Sequence, residues 1–182
     1  MFARMLRTGR VLALAALAAA VASCGGKPDR DAAADVQAFL AAVQARDPAG
    51  FENNIDRPAL RVALRAQVVE LARAAGLEGV GGPSEFALDR MIGPDNVRLV
   101  DSATGEPLGA APTVEQIRPL LKPVDKQTVC LHDSSPEQAC LLVFAKQRAR
   151  KESEGGARSE GWRLVRMPAS HMPIPIGPAP AA

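Results

Sequence analysis

The apolar residues of this chain change their spacing near Pro123, and that change restricts the fold more than any other feature. Before it they recur every three or four positions. Val36, Phe39, Leu40 and Val43 follow i, i+3, i+4, i+7, with Asp35, Gln37, Gln44 and Arg46 on other faces, which predicts an amphipathic helix over residues 31–46. Asp47-Pro48 ends it, because the residue before a proline is pushed out of the helical region, and Phe51 is placed to plug the corner. Asp56 is positioned to cap a second helix, Pro58 suits its first turn, and Leu60, Leu64, Val68 and Leu71 predict its buried stripe. Gly76 and Gly79-Val-Gly-Gly-Pro83 stop it. Residues 84–91 and 94–100 read as two shorter helical pieces broken by Gly93, and Thr113-x-x-Gln116 has capping-box spacing. After Pro123 the period shortens, and residues 124–132, 139–146 and 162–167 read as strands, with a solvated loop over 148–160. Helices first and antiparallel strands last predict an α+β domain, its N-terminal helices packed on a small antiparallel sheet formed by the C-terminal third.

The core must be aliphatic. One Trp, no Tyr and five Phe leave Leu, Val and Ala to fill it. Aromatic cages for cations and stacking platforms for bases are excluded by supply.

The first residues do not belong to that domain. Arg4, Arg7 and Arg10 precede an apolar run over 11–20 and a small-residue stretch, Val21-Ala22-Ser23, before Cys24. A positive segment, a short apolar segment and a small-residue cut site make a secretory signal peptide. The run is shorter than the ~20 residues a membrane-spanning helix needs. With a cysteine just after the cut, the leader resembles a bacterial lipoprotein signal, in which Cys24 is acylated and becomes the mature N-terminus. This resemblance implies a cell-envelope protein facing the periplasm, and Gly25 in place of Asp points to the outer membrane over the inner. The expected organisation is a leader over 1–23, a lipidated tether over 24–30, one domain over 31–167 and an extended or disordered proline-rich tail over 168–182. The tether reaches at most ~20 Å, so the domain sits against the bilayer. Three of the 22 basic residues are leader arginines, which leaves 19 against 20 acidic residues and a net charge of −1. The basic balance of the whole chain therefore argues for no nucleic-acid partner.

Cys130 and Cys140 fit the same oxidising compartment. Two β-prone runs flank Asp133-Ser-Ser-Pro136, which reads as a hairpin that a disulfide would close, stabilising by roughly 2–3 kcal/mol. A redox dithiol would show Cys-x-x-Cys spacing, and a zinc site with His132 would lack a fourth ligand.

Residues Gln37–Asp47, Phe51, the Ile55-Asp-Arg-Pro-Ala-Leu-Arg61 segment and Gly161-Trp-Arg-Leu-Val-Arg-Met-Pro168 together resemble a proteobacterial family of exported or membrane-anchored proteins of unknown function. The family motifs are hydrophobic-Asp-x-x-x-Leu-Arg and a closing Gly-Trp-x-Leu strand, here Asp56, Leu60, Arg61 and Trp162. The element order also resembles, more distantly, the cone-shaped domains of the nuclear transport factor two type. Those hold small ligands or serve as non-catalytic scaffolds, a likeness of fold and not of site.

Three arginines, Arg57, Arg61 and Arg65, recur every fourth residue on one helix face, facing solvent or phospholipid headgroups. Asp56 and Arg61, five residues apart, read as a helix cap with an arginine that pairs with that cap or with a neighbouring acid, or else as a buried pair lining a ligand pocket. Lys146, Arg148 and Arg150, which strand alternation puts on one side, form with Lys151 a second basic set, either neutralised by Glu152, Glu154 and Glu160 in a solvated loop or meeting an anionic polymer or lipid. No Gly-x-Ser-x-Gly, His-Glu-x-x-His or phosphate-loop pattern occurs, so no catalytic residue, metal or cofactor is expected. The expectation is a non-enzymatic lipoprotein that binds a small amphipathic ligand between helices and sheet. The alternative is a scaffold for an envelope protein, through its helical face or proline tail.

Overall fold

The computed structural model describes residues 28–77, 81–133, 139–148, 150–151, 157–158, 160–169 and 172–177. The leader and Cys24 lie outside the described residues.

Helix α1, Pro28–Gln44, begins three residues before the expected start and ends two before the expected end. Pro28 suits a first helical position, and Asp29 and Asp31 complement the positive helix N-terminus. α1 buries Ala32, Ala33, Val36, Phe39, Leu40, Ala42 and Val43. A short helix α2, Pro48–Asn53, follows a turn through Arg46 at φ 50°, with Asp47 as its cap. Phe51 takes the corner, its ring 5.5 Å from that of Phe39, which meets Phe144 edge-on at the same distance. Helix α3, Arg57–Ala74, is capped by Asp56 as expected. Its stripe is shorter than predicted: Leu60 and Leu64 are buried, Val68 is half-buried and Leu71 is exposed. The fully buried residues of α3 all lie in its first half. Helix α4, Glu85–Met91, starts from a Ser84 cap.

Residues 94–100 are not a second helical piece. A 3₁₀ turn, Pro94–Asn96, leads straight into strand β1, Val97–Asp101. Val97, Leu99 and Val100 are buried there, and pairing with a distant segment outweighs weak local preference. The capping box at Thr113 and Gln116 forms, opening helix α5, Val114–Ile117, which tightens into a 3₁₀ turn, Arg118–Leu120.

Four antiparallel strands then make the main sheet, in the order β2-β3-β4-β7. β2 is Leu121–Pro123, β3 is Thr128–His132 and β4 is Cys140–Gln147. The strand expected over 124–132 is thus two strands joined by a turn. Val124 N and Asp125 N both donate to the Thr128 carbonyl, and the Asp125 carboxylate accepts from Gln127 N, which reverses the chain. Within the expected loop over 148–160, β5, Arg150–Lys151, pairs antiparallel with β6, Ala157–Arg158. β7, Gly161–Arg166, completes the sheet beside β4.

The disordered reading of the tail is corrected in part. Met172–Ile176 forms strand β8, parallel to β1, with Ile174 and Ile176 each 3% exposed. Two isoleucines spaced by two fit an apolar groove, a pattern that proline-rich composition hides. The architecture is α+β, and α1 packs across the sheet with Phe39, Leu40, Phe144, Leu142 and Leu164 in one core.

Candidate functional site

Three of the four motif residues converge where α3 meets β7. Asp56 N donates to the Leu164 carbonyl at 2.9 Å, and Leu164 N donates to the Asn54 carbonyl at 3.0 Å, so residues 54–56 lie along the edge of β7. The Asp56 carboxylate then accepts from Ala59 N at 3.1 Å and from Gln147 Nε2 at 3.2 Å. One side chain thus caps α3 and ties it to β4. Leu60, fully buried, follows one turn later. At the head of β7, Trp162 N donates to Asp35 of α1 at 2.7 Å. A Cβ at Gly161 would come within 3.2 Å of that carboxylate, so the glycine permits the approach. Trp162 is buried in the same core.

Arg61 turns the other way. Its Nε and Nη2 donate to the two carboxylate oxygens of Asp89 on α4, at 2.7 and 2.8 Å, a bidentate pair. It does not pair with Asp56. Arg57 donates to Asp89 at 3.2 Å and to Glu52 of α2, while Arg65 bonds Glu85. The three arginines on one face therefore meet three carboxylates, Glu52, Asp89 and Glu85, in a chain that stitches α2, α3 and α4. Arg61 first, then Arg57, hold the Asp89 carboxyl below its ordinary range. The bond to Asp89 raises Arg61, and the bond to Glu52 raises Arg57 despite partial burial. These arginines would reach an anionic surface only in competition with those acids. A neighbouring acid was one of the two partners expected for Arg61; which acids meet the three arginines was not named. Glu85 and Asp89 recur at i, i+4 on α4, the one available signal.

In the second basic set, Lys146 lies 3.3 Å from Glu160 and Arg148 is exposed. β4 ends at Gln147 and Arg150 opens β5, so strand alternation does not run unbroken from 146 to 150. Cys130 and Cys140 form a disulfide, with Cα atoms 5.7 Å apart. Cys130 is buried and Cys140 exposed, so the bridge fastens the end of the β3–β4 hairpin to the core.

Between α1 and the sheet, Phe39, Phe51, Phe144, Leu142 and Leu164 fill the space, each at most 1% exposed. A cavity of about 10 Å³ lies at the edge of the core, lined by Asn96, Val97, Leu141, Leu142, Met167, Pro168 and Ile174. That is room for one water at most. Outside, Val62 and Val69 of α3 are 68% and 39% exposed and share a helix face, and Phe86 of α4 is 71% exposed. Among the described residues no cluster of His, Cys, Asp and Glu is placed to hold a metal ion, and no helix is long and apolar enough to cross a membrane.

No protein-family model, curated protein or solved structure matches this chain.

Proposed function

We propose that this chain is a non-enzymatic lipoprotein of the cell envelope, held by an acylated Cys24, that serves as a scaffold for an envelope protein partner. The observation that carries the scaffold reading over the small-ligand reading is the contrast between core and surface. The space between α1 and the sheet is filled by phenylalanine and leucine side chains, while Val62, Val69 and Phe86 stand in solvent on α3 and α4. Exposed apolar residues in adjoining elements suit a protein partner with an apolar face. Arg57, Arg61 and Arg65 on the same helices are paired with Glu52, Asp89 and Glu85, and Arg90 lies over the Phe86 ring at 5.9 Å, so the apolar side chains lead the contact. The lipid attachment rests on the leader and on Cys24 alone.

Native mass spectrometry on Cys24→Ser protein, exported to the periplasm and purified without detergent, tests the choice. A clean mass of the bare chain is expected. A reproducible extra mass that leaves on denaturation would replace the scaffold with a ligand-binding module. The same variant should leave the membrane fraction; membrane association equal to that of the parent would remove the lipid anchor.

A further inference from the structure

Prolines occupy every second position of β8, and the backbone explains how the strand tolerates them. β1 and β8 run parallel, Val97 opposite Met172 and Asp101 opposite Ile176. Ser102 N donates to the Ile176 carbonyl at 3.1 Å. Backbone groups alternate sides along a strand, so residues 172, 174 and 176 turn their N–H and C=O towards β1, and 173 and 175 turn theirs away. The outward pair are Pro173 and Pro175, which have no N–H, so β1 loses no bond to them. Inward side chains supply the grip: Ile174 and Ile176 are buried, Pro173 exposed and Pro175 half-buried.

The other edge of β1 is taken. Asp101 N donates to the Glu106 carbonyl and Leu108 N to the Leu99 carbonyl, at 2.8 and 3.1 Å. Chain leading to β8 is clamped by Gln67 of α3, which donates to the Met167 carbonyl at 2.9 Å and accepts from Ala169 N at 3.1 Å. Ile174 lines the 10 Å³ gap together with Val97, Leu142 and Met167, and joins Ile176 in the one hydrophobic core.

We infer that the β1 edge is a strand-acceptor site for an extended apolar peptide with prolines at alternate positions, occupied here by the chain's own Met172–Ile176. The occupant defines the ligand chemistry: a parallel strand, two β-branched side chains facing in, and outward positions that need no N–H. The site takes one strand and stops. At Pro173 and Pro175 the outer edge of β8 offers carbonyls without donors, so a further strand cannot complete a ladder on it.

The test uses the full chain with Ser170-His171 replaced by a protease recognition sequence, folded and then cut. A labelled synthetic peptide of residues 170–182 should exchange into the cut protein. The same peptide carrying Ile174→Ser and Ile176→Ser should bind at least about a hundredfold more weakly, since each buried isoleucine is worth roughly tenfold or more. Failure of the labelled peptide to enter a folded, cut domain would overturn the assignment. So would equal binding by the serine variant, or unfolding on cutting, which would make β8 part of the core and not a ligand. In the uncut chain, Pro173→Val with Pro175→Val should restore the outward donors and produce concentration-dependent assembly by light scattering. A monomer at every concentration would overturn the one-strand limit.

Discussion

α1 and α3 are of nearly equal length, 17 and 18 residues, and are held in opposite ways. α1 buries seven residues, including Phe39 and Leu40, and lies across the sheet. α3 buries two, Leu60 and Leu64, and is otherwise fastened by polar links: the Asp56 cap at its start, Gln67 in its middle and the three arginines along its side. Burial is non-directional and scales with area, so the seam under α1 carries stability. Hydrogen bonds and exposed ion pairs contribute less but demand geometry, so the seam along α3 carries position. A helix attached in this way keeps apolar residues on its outer face without needing them for folding, which is what a docking face requires.

The contrast breaks first at Phe39. Phe39→Ala should cost about 3–5 kcal/mol, because the ring touches both Phe51 and Phe144 and nothing nearby can refill its space. Urea denaturation would show it; a loss below ~1 kcal/mol would mean that α1 is not the stabilising seam. Removing the disulfide by Cys130→Ala with Cys140→Ala should cost roughly 2–3 kcal/mol, from the freed loop of the unfolded chain. An unchanged denaturation midpoint in the double variant would show that the bridge does not form. On the α3 side, Asp56→Ala should cost about 1 kcal/mol through the lost cap. Circular dichroism should find the sheet intact, and a loss as large as that of Phe39→Ala would erase the distinction between the seams.

The smallest effect belongs to Asp89→Asn, and pH sharpens it. Arg61 and Arg57 hold Asp89 below its ordinary value of 3.8, so the folded state binds that proton less readily than the unfolded state. The stabilisation is therefore complete above the unfolded value and is lost as pH falls through the lower, folded one. The parent should exceed the variant by a constant margin from neutrality to about pH 5, and the margin should shrink progressively as the pH falls below 3.8. Added salt should narrow the margin. A margin that stays constant as the pH falls well below 3.8 would show that Asp89 acts through something other than its charge.

Residues with a local cause were legible. Asp56 and the Thr113–Gln116 pair announce helix starts because a short polar side chain can reach a free N–H within three residues. The Cys130–Cys140 hairpin follows from close spacing around a turn. The Arg57, Arg61 and Arg65 face could be read, but its partners could not, since Asp89 lies 28 residues beyond Arg61. The helical piece expected over 94–100 gives way to a strand, since nothing local reveals that Val97–Asp101 continues into a pairing 75 residues away.

By itself the sequence determined the helical and strand periods, the caps, the aliphatic character of the core and the pair of cysteines. Each follows from side-chain chemistry over a few residues. Tertiary structure alone decided which arginines meet which acids, how far the buried stripe of α3 runs, and that Met-Pro-Ile-Pro-Ile is a strand. That last decision needs β1, because two prolines remove the outward donors and no strand of that composition holds without a partner on its inner edge.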